Sequence, residues 1–475
     1  MVLLLCTASL VSAALLAALA PAAAVATALN SPYHFDPLEH LGGVTPYFEP
    51  QDPPNSPAPP EGCTAERAAY LVRHAAIYVN DFDFEEYIDP FISKWENKTG
   101  IDWAKIPDLD FLAKWTPPVS EAEEELLTRL GKLEATQLGI SLSFRYPRLR
   151  LPQRVWTSAA ERTVKSAQAL VRGFELRENT INVVEIYEGE ESGADSLTPY
   201  KACPGYSSKA GSDESSAHLK KFTKPIVARL NSIAPGFNFT AKDVYGMMQT
   251  CGYETVVRGS SPFCSLELFT PDDWLGWEYT EDIRYHYNVG YGNIYAGAFG
   301  LPWLSAVGDL LKADTTEQDL YISFTHRELP PAVLVAMGLF NNSEFSEGGN
   351  VNDTMPLDRI NGRRAWKSSH ILPFLGNIAI ERLNCTGAYG YADGAYYRAL
   401  VNNAPQPLPE CGDGPGTSCS QAGFETYLQD RAALFGGFSE KCGVEYKNST
   451  DVLDIYTDPT VGNGTMVGKR SISSF

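Results

Sequence analysis

Ala68-Ala69-Tyr70-Leu71-Val72-Arg73-His74 is the stretch whose reading decides the fold. A short apolar run with charged flanks reads as a buried β-strand, and here it ends on a cation and an imidazole. Two later stretches repeat the pattern. Arg154-Val155-Trp156-Thr157 reads as a strand, and Val164, Ala167, Val171 and Phe174 then form one helical stripe behind a capping box of Ser158 and Glu161. Leu320-Tyr321-Ile322-Ser323-Phe324-Thr325 is a third strand, followed by Pro330-Pro331 and the helical run AVLVAMGLF. A helix is also predicted over 120–138, with Ser120 and Glu123 as its capping box and Leu126, Leu127, Leu130, Leu133 and Leu138 at helical spacing. Three strand-to-helix transitions predict an α/β domain with a mostly parallel sheet.

Around these stretches the 475 residues divide as follows. Residues 1–28 are uncharged and rich in Leu and Ala, with small-x-small sites at Ala22-Ala24, Ala24-Ala26 and Ala26-Ala28, and read as a cleaved secretory signal peptide. Residues 29–62 contain PQDPPNSPAPPEG and read as an extended N-terminal arm. The α/β domain then runs over 63–185 and resumes over 301–468. Residues 186–300, rich in Gly, aromatics and short helical patterns, read as an inserted, largely helical cap. The composition, 44% hydrophobic and 20% charged, is that of a globular protein. The net charge of −20 speaks against general binding of nucleic acid or an anionic membrane, both of which need a large basic face. No segment after the signal could cross a bilayer.

Secretion agrees with the cysteines. Beyond Cys6 there are eight, Cys63, Cys203, Cys251, Cys264, Cys385, Cys411, Cys419 and Cys442, an even number compatible with up to four disulfides. None forms a CxxC pair or a Cys/His cluster at metal-ligand spacing, so no metal is expected, and Gly290-Tyr291-Gly292 lacks the third glycine of a dinucleotide motif, so no cofactor is expected. Sequons begin at Asn97, Asn238, Asn341, Asn352, Asn384, Asn448 and Asn463, and each is expected to mark a glycosylated surface loop.

The chemistry lies at the strand ends. Arg73 and His74 follow the first strand, His326, Arg327 and Glu328 follow the late one, and Arg162 falls in the first turn of the helix after the middle strand. In a parallel sheet, ligands gather at the carboxyl ends of the strands, where helix N-termini also favour an anion. The set suits a phosphate monoester. A neutral imidazole is a competent nucleophile toward phosphorus, and guanidinium groups fit the phosphoryl oxygens. A carboxylic acid can protonate the leaving alkoxide.

These residues resemble the motifs of the histidine acid phosphatases, the family of fungal acid phosphatases and phytases. The family's first motif, R-H-G-x-R-x-P, is here Arg73-His74-Ala75-Ala76-Ile77-Tyr78-Val79. VWTSAAERTVKSAQALVRGF resembles the segment ending in R-x-x-x-S-A, with its arginine matched by Arg162. The late motif, H-D or H-A-E, reads His326-Arg327-Glu328, and Ser261–Asn293 resembles the fungal phytase cap. The resemblance implies a phosphoglycerate mutase-like α/β sandwich and the disulfides 63–385, 203–442, 251–264 and 411–419. It implies His74 as nucleophile, Glu328 as proton donor, and Arg73, Arg162 and His326 as phosphate ligands. Phytate stands among the expected phosphate-ester substrates, with activity peaking where Glu328 is partly protonated. Ala75 and Ile77 depart from the family's Gly and Arg, which leaves a secreted phosphate-ester binding protein as the alternative function. Arg327, where many members carry an acid, either supplies the missing cation to the phosphate or pairs with a surface carboxylate.

Overall fold

The computed structural model describes residues 35–50, 56–174, 181–342, 354–447 and 449–458. The expected signal peptide and the sequons at Asn352, Asn448 and Asn463 lie outside these residues. In chain order the principal elements are β1 (Cys63–Arg73), α1 (Arg129–Arg145), β2 (Arg154–Ser158), α2 (Glu161–Phe174) and β3 (Asn182–Ile186). The helices α3 (Ser212–Ile233), α4 (Ala241–Arg258), α5 (Pro271–Val289) and α6 (Ala296–Lys312) follow. After them come β4 (Leu320–Thr325), α7 (Leu329–Met337), β5 (Asn377–Cys385), β6 (Gly394–Val401), β7 (Ala404–Gln406) and β8 (Cys419–Ser420).

The fold is α/β, built on one sheet of order β3-β2-β4-β1-β5-β6-β7, with β8 beside β6. Strands β3, β2, β4 and β1 are parallel, and the long connections between them supply the crossovers that parallel pairing requires. β1 is buried from Arg67 to Arg73 and β4 along its whole length, which explains their unbroken apolar runs. Strands β5 to β8 add an antiparallel half. The connection from β5 to β6 is too short for a crossover, so those two strands must form a hairpin.

Register aligns the strand ends. Ala68 pairs with Leu320 and Arg73 with Thr325, so β1 and β4 stop level and His74 and His326 leave the sheet at the same edge. Ser158 ends β2 at that edge as well. β5 enters there, and Gly376 O accepts from Arg73 N while Leu375 N donates to His74 O.

Two helix starts differ from expectation. The helix predicted from 120 begins at Arg129, capped by Thr128, whose side chain accepts from Gly131 N. Ser120 donates to the Glu123 carboxylate in an isolated 3-10 turn, and Glu125 at φ +61° breaks the chain direction. Leu127 and Leu138 are buried, whereas Leu126 and Leu133 are exposed. Ser158 lies three residues ahead of the first helical position of α2, too early to cap it, and its hydroxyl turns to Thr163 and His326 instead. The apolar stripe of α2 is buried as predicted. α1 and α2 cross backbone to backbone: a Cβ at Gly139 would stand 2.2 Å from Leu170 O, and one at Gly173 2.2 Å from Thr136 O.

The helices α3, α4 and α5 pack together, α4 and α5 opening on capping boxes at Thr240/Asp243 and Thr270/Asp273. α4 also packs against the turn 84–88 and the short helix Asp89–Asn97, so the helical layer draws on chain ahead of β2. α6 runs across position 300 and packs on α7. Residues 37–44, expected as an extended arm, form two buried 3-10 turns, because Leu41 and Val44 insert beside α4 and α5.

The disulfides are Cys63–Cys385, Cys203–Cys442, Cys251–Cys264 and Cys411–Cys419. The first joins directly opposed residues of β1 and β5. Asn97, Asn238, Asn341 and Asn384 are exposed, although Asn97 ends a helix and Asn384 lies in β5 rather than in a loop. Among the described residues no helix is long and apolar enough to cross a membrane.

Candidate active site

His74 is buried at the end of β1, with its backbone N–H donating to Thr325 O across the β1–β4 edge. Its Nδ1 lies 2.9 Å from Ala75 O. A carbonyl only accepts, so Nδ1 carries the proton and Nε2 keeps a free lone pair. Burial holds the imidazole pKa well below its ordinary value, and the neighbouring Arg73, Arg162 and His326 push it the same way. Burial and these cations therefore favour the neutral ring, the state a nitrogen nucleophile needs.

Arg73 is anchored by its Nη1, which donates to Gly43 O at 2.7 Å and to Leu372 O at 2.5 Å. Its guanidinium lies 4.5 Å from the centroid of Phe374. Burial lowers its pKa to about 10, so the group keeps its charge throughout the acid range. The turns that hold Gly43 therefore belong to the site.

His326 stands beside His74, with ring centroids 6.0 Å apart. Its Nε2 lies 3.0 Å from Glu188 Oε1 and 3.2 Å from Ser158 Oγ. Because a carboxylate only accepts, Nε2 is the protonated nitrogen. Nδ1 is buried with no hydrogen-bond partner among the described residues. Glu188 also accepts from Ala160 N at 3.1 Å and pairs with Lys201. Burial pulls the His326 pKa down, and Glu188 opposes that pull.

Arg327 Nε donates to Glu328 Oε1 at 3.1 Å, its Nη1 lies 3.6 Å from the buried Asp83 carboxylate, and its Nη2 is 3.4 Å from Asn80 Oδ1. Of the two alternatives for Arg327, a surface carboxylate is not what it meets: Asp83 is 1% exposed. Burial would raise the Asp83 pKa, but Arg327 and Arg284 outweigh it and hold the group ionised. Glu328 also accepts from Tyr200 OH at 3.4 Å. Burial pushes the Glu328 pKa up, yet Arg327, His326 and Arg162 together leave it below the ordinary value. In the free site these cations favour the ionised form of Glu328.

Arg162, half-buried in the first turn of α2, pairs with Glu125. Its carbonyl accepts from Ser166 Oγ at 2.7 Å, and Ser166 Oγ accepts from Ala75 N at 2.9 Å, which ties α2 to the residue after His74. All six motif residues thus gather at one sheet edge.

The model of the histidine phosphatase superfamily (branch 2) matches residues 70–402, a span that contains every residue of this cluster. The chain belongs to that family. An acid phosphatase of Komagataella pastoris is 31% identical over 447 residues, 88% of this chain and 88% of its own. A phytase of Candida albicans is 29% identical over 87% of each chain. The crystal structure of the phytase from D. castellii superposes with a TM-score of 0.82 at 25% identity, covering 92% of this chain and 95% of that one.

Within this histidine phosphatase, position 77 departs most. Ile77 is 2% exposed and forms an antiparallel bridge with Leu127, so an apolar wall stands where the motif has a cation. The start of α1 closes the same wall: a Cβ on Gly131 would meet Ala76 O at 2.4 Å. A cavity of about 780 Å³ opens beside the starting ends of β2 and β4, and none of the motif residues lines it.

Sequence reasoning missed Glu188, Asp83, Asn80, Glu125 and Tyr200. Glu188 follows β3 by two residues and could have been found by the strand-end rule that found His74. Glu125 sits in the acidic run EAEEELL, where nothing separates it from solvated neighbours.

Proposed function

We propose that this histidine phosphatase is a secreted phosphomonoesterase that works through a phosphohistidine on His74. The observation that carries the reading is the Nδ1 donation to Ala75 O, which leaves Nε2 unprotonated on a ring that burial keeps neutral. His74 Nε2 attacks phosphorus in line, the N–P bond forms and the P–O bond to the leaving alkoxide breaks. Arg73, Arg162, Arg327 and His326 take the phosphoryl oxygens, and preorganised charge of this kind supplies much of such a rate enhancement.

Glu328 passes a proton to the alkoxide. Because the neighbouring cations favour the ionised carboxylate in the free site, that proton arrives with the substrate: a phosphate ester below its second pKa of about 6 is a monoanion and carries one. Water then attacks phosphorus, Glu328 accepts its proton, the N–P bond breaks and phosphate leaves. The relatives named acid phosphatase and phytase support small phosphate esters as substrates, with phytate among them. The apolar Ile77 favours one other reading, a secreted protein that binds such esters without turnover.

Acid-quenched protein incubated with a radioactive phosphomonoester separates the two. An acid-labile, base-stable label that disappears in His74→Ala, together with steady release of phosphate by the wild type, is the expected result. Binding without release would establish the second reading, and label on a serine or cysteine would overturn the phosphohistidine.

A further inference from the structure

Among the described residues, Glu125 is the carboxylate in ion-pair contact with Arg162, and several bonds determine its position. Its backbone is held at φ +61° by donation from its N–H to Val79 O at 2.8 Å. A left-handed conformation at a non-glycine residue is costly and persists where the surroundings over-determine it. Its Oε1 accepts from Asn80 Nδ2 at 2.5 Å and from Asp81 N at 3.3 Å, while Oε2 faces Arg162 Nη1. Two contacts outside the ion pair hold this carboxylate, and the Val79 bond holds its backbone.

We infer that Glu125 is a built-in competing anion, a specificity-determining residue that shares Arg162 with the phosphoryl group and so limits how tightly the site holds phosphate. The inference rests on the phosphomonoesterase reading given above.

The electrostatic reason is direct. Arg73, Arg162 and Arg327 converge with two histidines on one anion site, and hydrolysis leaves inorganic phosphate bound to that same set. Product that leaves slowly can limit turnover. A fixed negative charge beside one of the arginines raises the free energy of bound phosphate by like-charge repulsion, while Arg162 itself stays paired and ordered. Asn80 extends the arrangement, because its amide donates to Glu125 and its carbonyl accepts from Arg327 Nη2. One asparagine thus bonds both to the partner of Arg162 and to Arg327 itself.

The test compares wild type, Glu125→Gln and Glu125→Ala by calorimetric titration with inorganic phosphate, by steady-state hydrolysis of p-nitrophenyl phosphate, and by thermal midpoint. Glu125→Gln keeps an oxygen for Asn80 and removes the charge. It is expected to bind phosphate about five- to tenfold more tightly, to lower KM, and to lower kcat as product release slows. Glu125→Ala, at an unchanged thermal midpoint, is expected to tighten phosphate binding as well. If both variants bind phosphate as the wild type does or more weakly, Glu125 is an orienting residue for Arg162 and the inference falls while the phosphomonoesterase reading stands. If wild type neither binds phosphate nor hydrolyses the ester, both fall together.

Discussion

Replacing Glu188 by glutamine tests how the late histidine works. His326 donates through Nε2 to Glu188, so only Nδ1 remains for a phosphoryl oxygen, and an unprotonated Nδ1 would repel it. The proposed phosphate contact therefore requires the ring to be an imidazolium when substrate is bound. Burial lowers its pKa and Glu188 raises it, so the carboxylate is what keeps the cation within reach in acid solution. Gln at 188 still accepts a hydrogen bond from the ring and from Ala160 N but carries no charge. A hydrogen bond to a charged group contributes about 1.5–3 kcal/mol. Glu188 is half-buried and also pairs with Lys201, so the lower end of that range applies.

That corresponds to a loss of about tenfold in kcat/KM. The sign of the pH effect follows from the same pair. Removing the group that raises the pKa makes His326 lose its proton at lower pH, so the alkaline limb of the kcat/KM profile moves toward acid. At the acid end, where the ring is protonated in both proteins, the two profiles converge. The assay is the initial rate of p-nitrophenyl phosphate hydrolysis from pH 3 to 8, with thermal midpoints as a control on folding. Superimposable profiles would refute the reasoning, as would a uniform loss across the whole range.

Glu328→Gln should slow an alkyl phosphate at least tenfold more than p-nitrophenyl phosphate, because a nitrophenolate needs little protonation as it leaves. Equal losses on the two substrates would remove Glu328 as the proton donor. Ile77→Arg should lower stability by about 3 kcal/mol or more, since the position is buried against Leu127 and offers an inserted cation no partner at that bridge. Denaturant titration reads this, and a variant as stable as wild type that binds phosphate more tightly would show that position 77 opens onto the anion site after all.

Three strands of the parallel half, β1, β2 and β4, are legible because each is an apolar run that had to be buried and a helical pattern follows; β3, exposed or half-exposed at three of its five positions, is not. His74, Arg162, His326 and Glu328 were legible for a related reason: a strand end is a topological position that local sequence reveals. The antiparallel strands are not legible because β5 and β6 carry Glu381 and Arg398 inside their buried runs, charges that find each other only once the two strands are paired. The start of α1 was misplaced because the capping-box pattern at Ser120 and Glu123 is satisfied locally, while the chain turns again at Glu125 before the helix begins. The carboxylates that control the arginines were illegible for a deeper reason. Asp83 and Glu125 come from separate loops, and only the docking of α1, α2 and α4 brings them to the β4 edge.

Those carboxylates also explain how a chain of net charge −20 builds a site for an anion. An unpaired buried guanidinium is too costly to keep, so each arginine at the sheet edge needs a counter-charge or carbonyls around it. Arg73 is held by two backbone carbonyls, Arg162 by Glu125, and Arg327 by Glu328 and Asp83. Asp83 is shared, since Arg284 Nη1 lies 3.7 Å away and Tyr253 donates to it at 2.7 Å. A further arginine at position 77 would enter this group without a carboxylate of its own, beside three cations already balanced. The apolar bridge between Ile77 and Leu127 is therefore consistent with an arginine at 327: the late motif carries the cation, and Asp83 beneath it supplies the charge that allows the cation to be buried.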